Sequence, residues 1–362
     1  MKALILIGGF GMRLKPLTLT VPKPLVEFAN KPILCYQIEA LVKIGVTEII
    51  LCINYQPEVM AQQVREYEDR YNVKITQIQE EEPLGTAGPI KHAREQLLKD
   101  ATHPFFFVMN SDIVCEFNLD QLLEFHISHG KEASMYMTTA EDPSKYGVIV
   151  ADENGRVSKF VEKPKEFVGS KVNAGLYIIN NSLLDQLPKR PCMLETDIFP
   201  KLAEDGSLYV INLKGFWMDV GQPKDFMNGT KLYLQYLKDQ GSEDLARGDN
   251  IIGNVLIHPS ARVDPSSVIG PNVVIGEDCV VWNGVRISES TIFGKTQIKG
   301  HAFIRNSLIG WQSIIGQWVR IEGVSVVAED VQIKDVVFIN ESFILPHKNI
   351  TSSIPNPSTI VM

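Results

Sequence analysis

Aliphatic residues return every six positions along the last third of this 362-residue chain. Ile251, Ile257, Val263, Ile269, Ile275, Val281 and Ile287 keep that step. The phase slips by one residue, and Ile292, Ile298 and Ile304 continue it. It slips again at Ile309, and Ile315, Ile321, Val327, Ile333, Ile339 and Leu345 then stay in step. Six is neither a helical period nor a plain strand alternation. It fits a hexapeptide-repeat parallel β-helix, in which each aliphatic points into a prism-shaped interior. Gly270, Gly276, Gly310 and Gly316 each follow an aliphatic, as such a repeat expects.

The first part of the chain has a different rhythm. Apolar runs at Ala3–Ile7, Glu48–Ile53 and Phe105–Met109 read as strands, and Val73–Gln77 as a shorter one. Between them, Asn30-Lys31-Pro32 supplies a helix start and Gly45 a helix stop. Gln56–Tyr71 and Pro89–Leu98 read as further helices. Alternating strands and helices imply an α/β, Rossmann-like domain built on a mostly parallel sheet. Ligands of such sheets bind beyond the carboxyl ends of the strands. The expected division is a catalytic domain over 1–240, a polar linker over 241–250, and the repeat domain with its C-terminal tail over 251–362.

Behind the first strand, with Leu6 near its end, comes Gly8-Gly9-Phe10-Gly11-Met12-Arg13, followed by Pro22-Lys23-Pro24-Leu25. Glycines let the backbone turn sharply and approach a ligand. Successive N–H groups in such a turn form an anion nest. Arg13 adds a fork of donors for phosphate oxygens, and Lys23 a point charge. Together they describe a polyphosphate cradle.

The run GGFGMRLKPLTLTVPKPLVEF resembles the signature of the sugar-nucleotide pyrophosphorylases. These are nucleotidyltransferases that join a nucleoside triphosphate to a sugar 1-phosphate, and the resemblance continues almost to the C-terminus. It implies a Rossmann-like nucleotidyltransferase domain followed by a left-handed parallel β-helix. One departure is Met12, where the family usually has Thr or Ser. The backbone N–H survives that change, but a hydroxyl contact to the triphosphate is lost.

Several site residues follow from this resemblance. Asn110-Ser111-Asp112 ends a buried strand, and Trp217-Met218-Asp219-Val220-Gly221 repeats the arrangement. By itself Asp112 reads equally as a turn residue. The resemblance makes Asp112 and Asp219 ligands of Mg²⁺, which is usually held by one or two carboxylates plus substrate phosphates. Asn110 and Gly85 join Leu6, Gly8, Gly9, Gly11 and Met12 as nucleotide-binding positions. In Glu80-Glu81-Glu82, the last two read as a solvated face, while Glu80 stands five residues before Gly85, at the family's base-reading position. A carboxylate accepts two hydrogen bonds, and guanine offers N1–H and its 2-amino group side by side. Glu80 therefore favours guanine, and GTP as the nucleotide.

Glu162-Lys163-Pro164 resembles the sugar-phosphate motif. Glu162 would accept sugar hydroxyls and Lys163 neutralise the attacking phosphate, although both residue types also occur exposed at strand ends. Gly147 and Asn173 match sugar-contacting positions. Mannose 1-phosphate is the implied second substrate. Arg13, Lys23 and Lys163 are the expected catalytic cations. Two alternatives remain: a related regulatory subunit without activity, which should lack some of Arg13, Lys23, Asp112, Lys163 and Asp219, or a pyrophosphorylase for another nucleotide and sugar.

The remaining expectations come from composition. A net charge of −8 argues against nonspecific nucleic-acid or membrane binding. Five scattered cysteines form neither a zinc spacing nor a disulfide framework, which suits a reduced cytoplasmic protein. No segment approaches a membrane span. His258 and His301 read as structural, although some hexapeptide proteins are acyltransferases with a catalytic His. Trp282, Trp311 and Trp318 could serve an oligomer contact or pack against the catalytic domain, and a homo-oligomer or a hetero-oligomer with a related regulatory subunit is expected.

Overall fold

The computed structural model describes residues 1–9, 11–53, 57–80 and 82–362. Phe10 of the glycine loop, the expected helix start Gln56 and the acidic Glu81 lie outside the described residues. Two compact units divide the chain. The first holds 1–10 and 34–217, and the second holds 11–33 and 218–362.

The first unit is built on a nine-stranded sheet. Its strands are β1 (Lys2–Ile7), β2 (Glu48–Ile53), β3 (Lys74–Gln79), β4 (Phe105–Asn110), β5 (Ala133–Thr139), β6 (Gly147–Ala151), β7 (Val157–Glu162), β8 (Lys171–Asn180) and β9 (Leu208–Asn212). The spatial order is β7-β6-β8-β4-β1-β2-β3, with β5 beside β8 and β9 beside β5. The strands β3, β2, β1 and β4 run parallel. Helices α1 (Ile33–Lys43) and α2 (Pro57–Tyr71) flank β2 in sequence. Strands β1, β2 and most of β4 are buried along their length, as continuous apolar runs in a covered parallel sheet should be.

Beyond β4 the pairing reverses. Strand β8 is antiparallel to β4, β5 and β6, and β7 is antiparallel to β6. The sheet is thus mixed, not mostly parallel throughout. The short link between β6 and β7 cannot house the crossover that a parallel pair needs, so those strands pair as neighbours. Two local expectations also change. Lys31–Pro32 is a short strand paired with Glu27–Phe28, and α1 begins only at Ile33. The expected Pro89–Leu98 helix is two pieces, Gly88–His92 and Arg94–Leu98.

The second unit is the left-handed parallel β-helix with what packs on it. Three parallel sheets of seven, six and five strands stack successive coils in register. The aliphatic ladder is its interior: Ile269, Ile275, Val281, Ile287, Ile292, Ile298, Ile304, Ile309, Ile315, Ile321, Val327, Ile333 and Ile339 are all buried in one cluster. Each contributes roughly 1.5–3 kcal/mol by leaving water. The ladder slips once more at its end, where Ile344, not Leu345, pairs with Val327 and fills the core. Buried serines add a second ladder. Ser307 N–H donates to Ser290 Oγ at 3.1 Å, and Ser342 N–H donates to Ser325 Oγ at 3.1 Å. These hydroxyls satisfy amides that a turn inside a dry prism would otherwise orphan.

Segment 11–33 and helix α3 (Pro223–Asp239) are anchored on this prism. Asn30 Nδ2 donates to the Ile275 carbonyl at 2.9 Å. Phe28 meets Phe226 of α3 edge-on at 5.4 Å, and Phe226 lies 6.1 Å from Phe293. Trp311 packs internally, donating from its indole to Glu27 at 3.1 Å and lying 4.4 Å from Phe293. Trp282 and Trp318 are exposed, and His301 stacks on Trp318 at 4.3 Å.

Candidate functional site

The carboxyl ends of β1 and β4 meet in register at Leu6 and Asn110. Ser111 N–H donates to the Leu6 carbonyl at 3.3 Å, holding the turn that presents half-buried Asp112. Behind it, fully buried Gln37 of α1 donates to the carbonyls of Asn110, at 2.8 Å, and Ile113, at 3.4 Å. Gly175, with φ at +78°, leaves space that Asn110 Nδ2 occupies: a Cβ there would lie 3.0 Å from it.

Glu80 follows β3, two strands away in the same sheet. It is 4% exposed, and one carboxylate oxygen accepts the Leu84 N–H at 3.3 Å. Its other oxygen, Oε1, is buried without a hydrogen-bond partner and lies 3.9 Å from where a Cβ on Gly8 would stand. Burial pushes the Glu80 carboxyl above its ordinary range, against the Leu84 N–H and the His92 charge, which lower it. Gly85 takes φ of +80°, and a Cβ would collide with the Cys192 carbonyl at 2.5 Å. The glycine is thus required by close packing of two loops.

The sugar-side positions gather on β6, β7 and β8. Gly147 pairs with Glu162, and a Cβ on Gly147 would stand 2.9 Å from Glu162 Oε2. Lys163 Nζ pairs with Glu162 Oε1 at 2.9 Å. Lys163 has φ of +43°, a left-handed conformation costing a non-glycine residue about 1–2 kcal/mol. Asn173 donates to the buried Tyr177 hydroxyl at 2.8 Å and accepts the Gly175 N–H at 2.9 Å. Pairing of β8 with β5 shifts between those two residues, so a bulge turns Asn173.

Sequence reasoning missed Glu195 and Thr86. Glu195 is buried in a π-helical turn, Leu194–Ile198, and accepts the Thr86 hydroxyl at 2.6 Å. Burial raises its carboxyl; Thr86 lowers it, Glu162 raises it and Lys163 lowers it. The same two charges of the sugar-phosphate motif thus act on it. Nothing in the local pattern marks Glu195, because its partners are over a hundred residues away or at the end of β7.

The second unit carries the other candidates. Gly11 has φ of +60°, and its carbonyl accepts the Thr18 hydroxyl at 2.8 Å, folding the loop back on itself. Met12 is exposed, and so is Arg13. Arg13 Nη2 faces Asp219 Oδ2 at 3.6 Å, while Asp219 Oδ1 accepts the Gly221 N–H at 2.8 Å. A Cβ on Gly221 would strike both Asp219 and Arg13, at 2.6 and 2.7 Å. Lys23 opens a 3₁₀ turn, Lys23–Leu25, and is half-buried. The cations Arg13 and Lys23 thus belong to the unit that contains the β-helix.

Asp112 and Asp219 carry hard oxygen donors, the kind of group that divalent cations take. Among the described residues no group of three or more His, Cys, Asp or Glu side chains is arranged to hold a metal. All five cysteines are buried and unbonded. No helix among the described residues is long and apolar enough to cross a membrane.

Residues 2–236 match the nucleotidyl transferase family model, and 251–360 match the GMPPB C-terminal domain model. The chain is 51% identical over the full length of both proteins to a probable mannose-1-phosphate guanylyltransferase 2 of Oryza sativa subsp. japonica. It is also 51% identical, again over both full lengths, to the mannose-1-phosphate guanylyltransferase catalytic subunit beta of Danio rerio. A crystal structure of HddC from Yersinia pseudotuberculosis complexed with GMP-PN is 29% identical with a TM-score of 0.53, covering 63% of this chain and 97% of that one. A full-length match at this identity leaves no part of the fold unaccounted for, and the chain belongs to the nucleotidyltransferase family, in its mannose-1-phosphate guanylyltransferase branch.

Proposed function

We propose that this protein joins GTP to α-mannose 1-phosphate, giving GDP-mannose and pyrophosphate. Its relatives' names support that pair of substrates, as does the chemistry of Glu80. The observation that carries the guanine reading is the buried Glu80 oxygen without a partner. Such an atom costs about 1–3 kcal/mol until a donor reaches it. The N1–H and 2-amino group of guanine are a matching pair of donors. The relative complexed with GMP-PN supports the same base.

A phosphate oxygen of mannose 1-phosphate attacks the α-phosphorus of GTP in line. The bond to the α,β-bridging oxygen breaks, and pyrophosphate leaves with the electron pair. Two anions must approach, so the task is positioning and charge stabilisation. Lys163 holds the attacking phosphate and Glu162 with Asn173 the sugar hydroxyls. Gly147 leaves room beside Glu162. The amides of Gly8, Gly9, Gly11 and Met12, with Arg13 and Lys23, take the charge that grows on pyrophosphate. Leu6, Gly85 and Asn110 shape the nucleoside side. Asp112 and Asp219 would hold Mg²⁺, which when bound offsets phosphate charge.

The protein works in the cytoplasm and assembles with copies of itself or a related subunit. The subunit name carried by the zebrafish relative supports the last point. A grid of four nucleoside triphosphates against mannose and glucose 1-phosphates, read as pyrophosphate release, tests the reaction. GTP with mannose 1-phosphate should give the highest kcat/KM. A higher value for another pair, or no turnover with this one, overturns the assignment.

A further inference from the structure

Helix α1 buries Ile33, Leu34, Cys35, Gln37, Ile38 and Leu41, and among these described residues Gln37 is the one with a polar amide. It is fully enclosed, at 0% exposure. A buried amide is unfavourable unless its hydrogen bonds are made, and a leucine or methionine would fill the same space without that penalty. Gln37 offsets only part of it. Its Nε2 donates to the carbonyls of Asn110 and Ile113, at 2.8 and 3.4 Å, but its Oε1 is buried without a hydrogen-bond partner among the described residues. Packing of the helix gives no reason for an amide here, so the two donated bonds are what this residue contributes.

Those two carbonyls stand on either side of Ser111-Asp112. Asn110 ends β4, and Ile113 starts the short strand Ile113–Cys115. From Ser111 to Cys115 every residue except Asp112 is buried, so the turn is packed into the core and leaves one half-buried carboxylate. The Ser111 N–H is held by the Leu6 carbonyl of β1 at 3.3 Å. The turn is thus tied to β1 through an amide and to α1 through two carbonyls. A single carboxamide bridging both ends fixes the span of the turn, because its two N–H groups share one nitrogen. Apolar packing would not do this, since the hydrophobic effect has no preferred direction.

We propose that Gln37 is a positioning residue for Asp112: it acts through the Asn110 and Ile113 carbonyls to hold the Asp112 carboxylate in place for the divalent cation it would take with GTP. The inference rests on the role given to Asp112 in the reaction above. Gln37 is enclosed behind the turn and acts only through its backbone. Misplacement by about 1 Å can cost on the order of 10²-fold in rate, even when the altered residue is away from the reacting atoms.

Gln37→Met keeps the volume and removes both donors. Its effects on stability oppose each other, since two carbonyls lose a donor while the orphaned Oε1 disappears. The melting temperature should stay within about 4 °C of wild type. The value of kcat should fall roughly 10- to 100-fold, with KM for mannose 1-phosphate unchanged. Gln37→Glu keeps the shape but sets a carboxylate against the two carbonyls. It should lose at least as much, and it gives a second reading should the first variant fold poorly. Binding is read without turnover, as the Kd of labelled GTP for the full chain by equilibrium dialysis, with Mg²⁺ and with EDTA. Mg²⁺ should tighten GTP on the wild type. Gln37→Met should lose most of that gain, as Asp112→Asn should. The double variant should lose no more than Asp112→Asn alone, because residues that act as one unit are not additive. Additive losses, a loss confined to melting temperature, or an unchanged kcat and Mg²⁺ gain in Gln37→Met each overturns the proposal. Asp112→Asn at the wild-type kcat would strike the role of Asp112 itself, and Gln37 with it. A costly Asp112→Asn beside an additive Gln37→Met would strike Gln37 alone.

Discussion

Glu80 Oε1 lies 3.9 Å from the point where a Cβ on Gly8 would stand, so a buried carboxylate and the start of the glycine loop border the same space. Two elements seventy residues apart in sequence are joined there by the parallel order β1-β2-β3, which stacks their carboxyl ends side by side. In the reaction proposed above, the loop's amides hold phosphate and Glu80 reads the base from opposite sides of that space.

Glu80→Gln should raise KM for GTP by roughly 10- to 100-fold, the loss of about 1.5–3 kcal/mol for hydrogen bonds to a charged group. The change in kcat should be small. ITP, which lacks the 2-amino group, should lose its disadvantage against GTP in this variant. Stability should move the other way. Burial raises the Glu80 carboxyl, so the folded state binds this proton more tightly than the unfolded chain. The stability it contributes is present below the ordinary carboxylate range and lost as pH rises through the folded value. Without ligand, Glu80→Gln should therefore melt higher than wild type at pH 7 and no higher at pH 4, by calorimetry.

Thr86→Val should be costly. The Thr86 hydroxyl donates to Glu195 and accepts the Leu194 N–H at 2.7 Å, so the substitution takes a donor from a buried carboxylate and an acceptor from an amide. A loss of about 2–4 kcal/mol is expected. Urea denaturation should show it as a lower midpoint at unchanged slope. KM for mannose 1-phosphate should rise as well, because Glu195 shares its surroundings with Glu162 and Lys163.

Acid should weaken the opposite edge of the sheet through Glu48. Burial pulls the Glu48 carboxyl up, but Lys74, Lys2, Gln96 and Thr76 together hold it at about 2. Lys2 and Lys74 each pair with it, at 2.9 and 2.8 Å. Because the folded value is depressed, its stabilisation is complete above the ordinary value of 4.5 and disappears as pH falls towards 2. Glu48→Gln should lower the melting temperature at pH 7, and the gap to wild type should shrink below pH 4.5 and close only as pH falls through about 2.

The sequence by itself determined the β-helix, because a period of six is written in consecutive residues and each aliphatic answers to the same interior. It also marked the glycine loop, Asp112, Glu162 and Lys163, since strand ends and turn glycines are local signals. The tertiary structure alone decided how these positions are placed. The final slip to Ile344, the reversal of strand direction after β4, and the seating of Arg13 and Lys23 on the β-helix unit depend on pairings across long stretches of chain. Glu195 became visible only when Thr86 was brought against it, because a buried charge is defined by its surroundings and not by its neighbours in sequence.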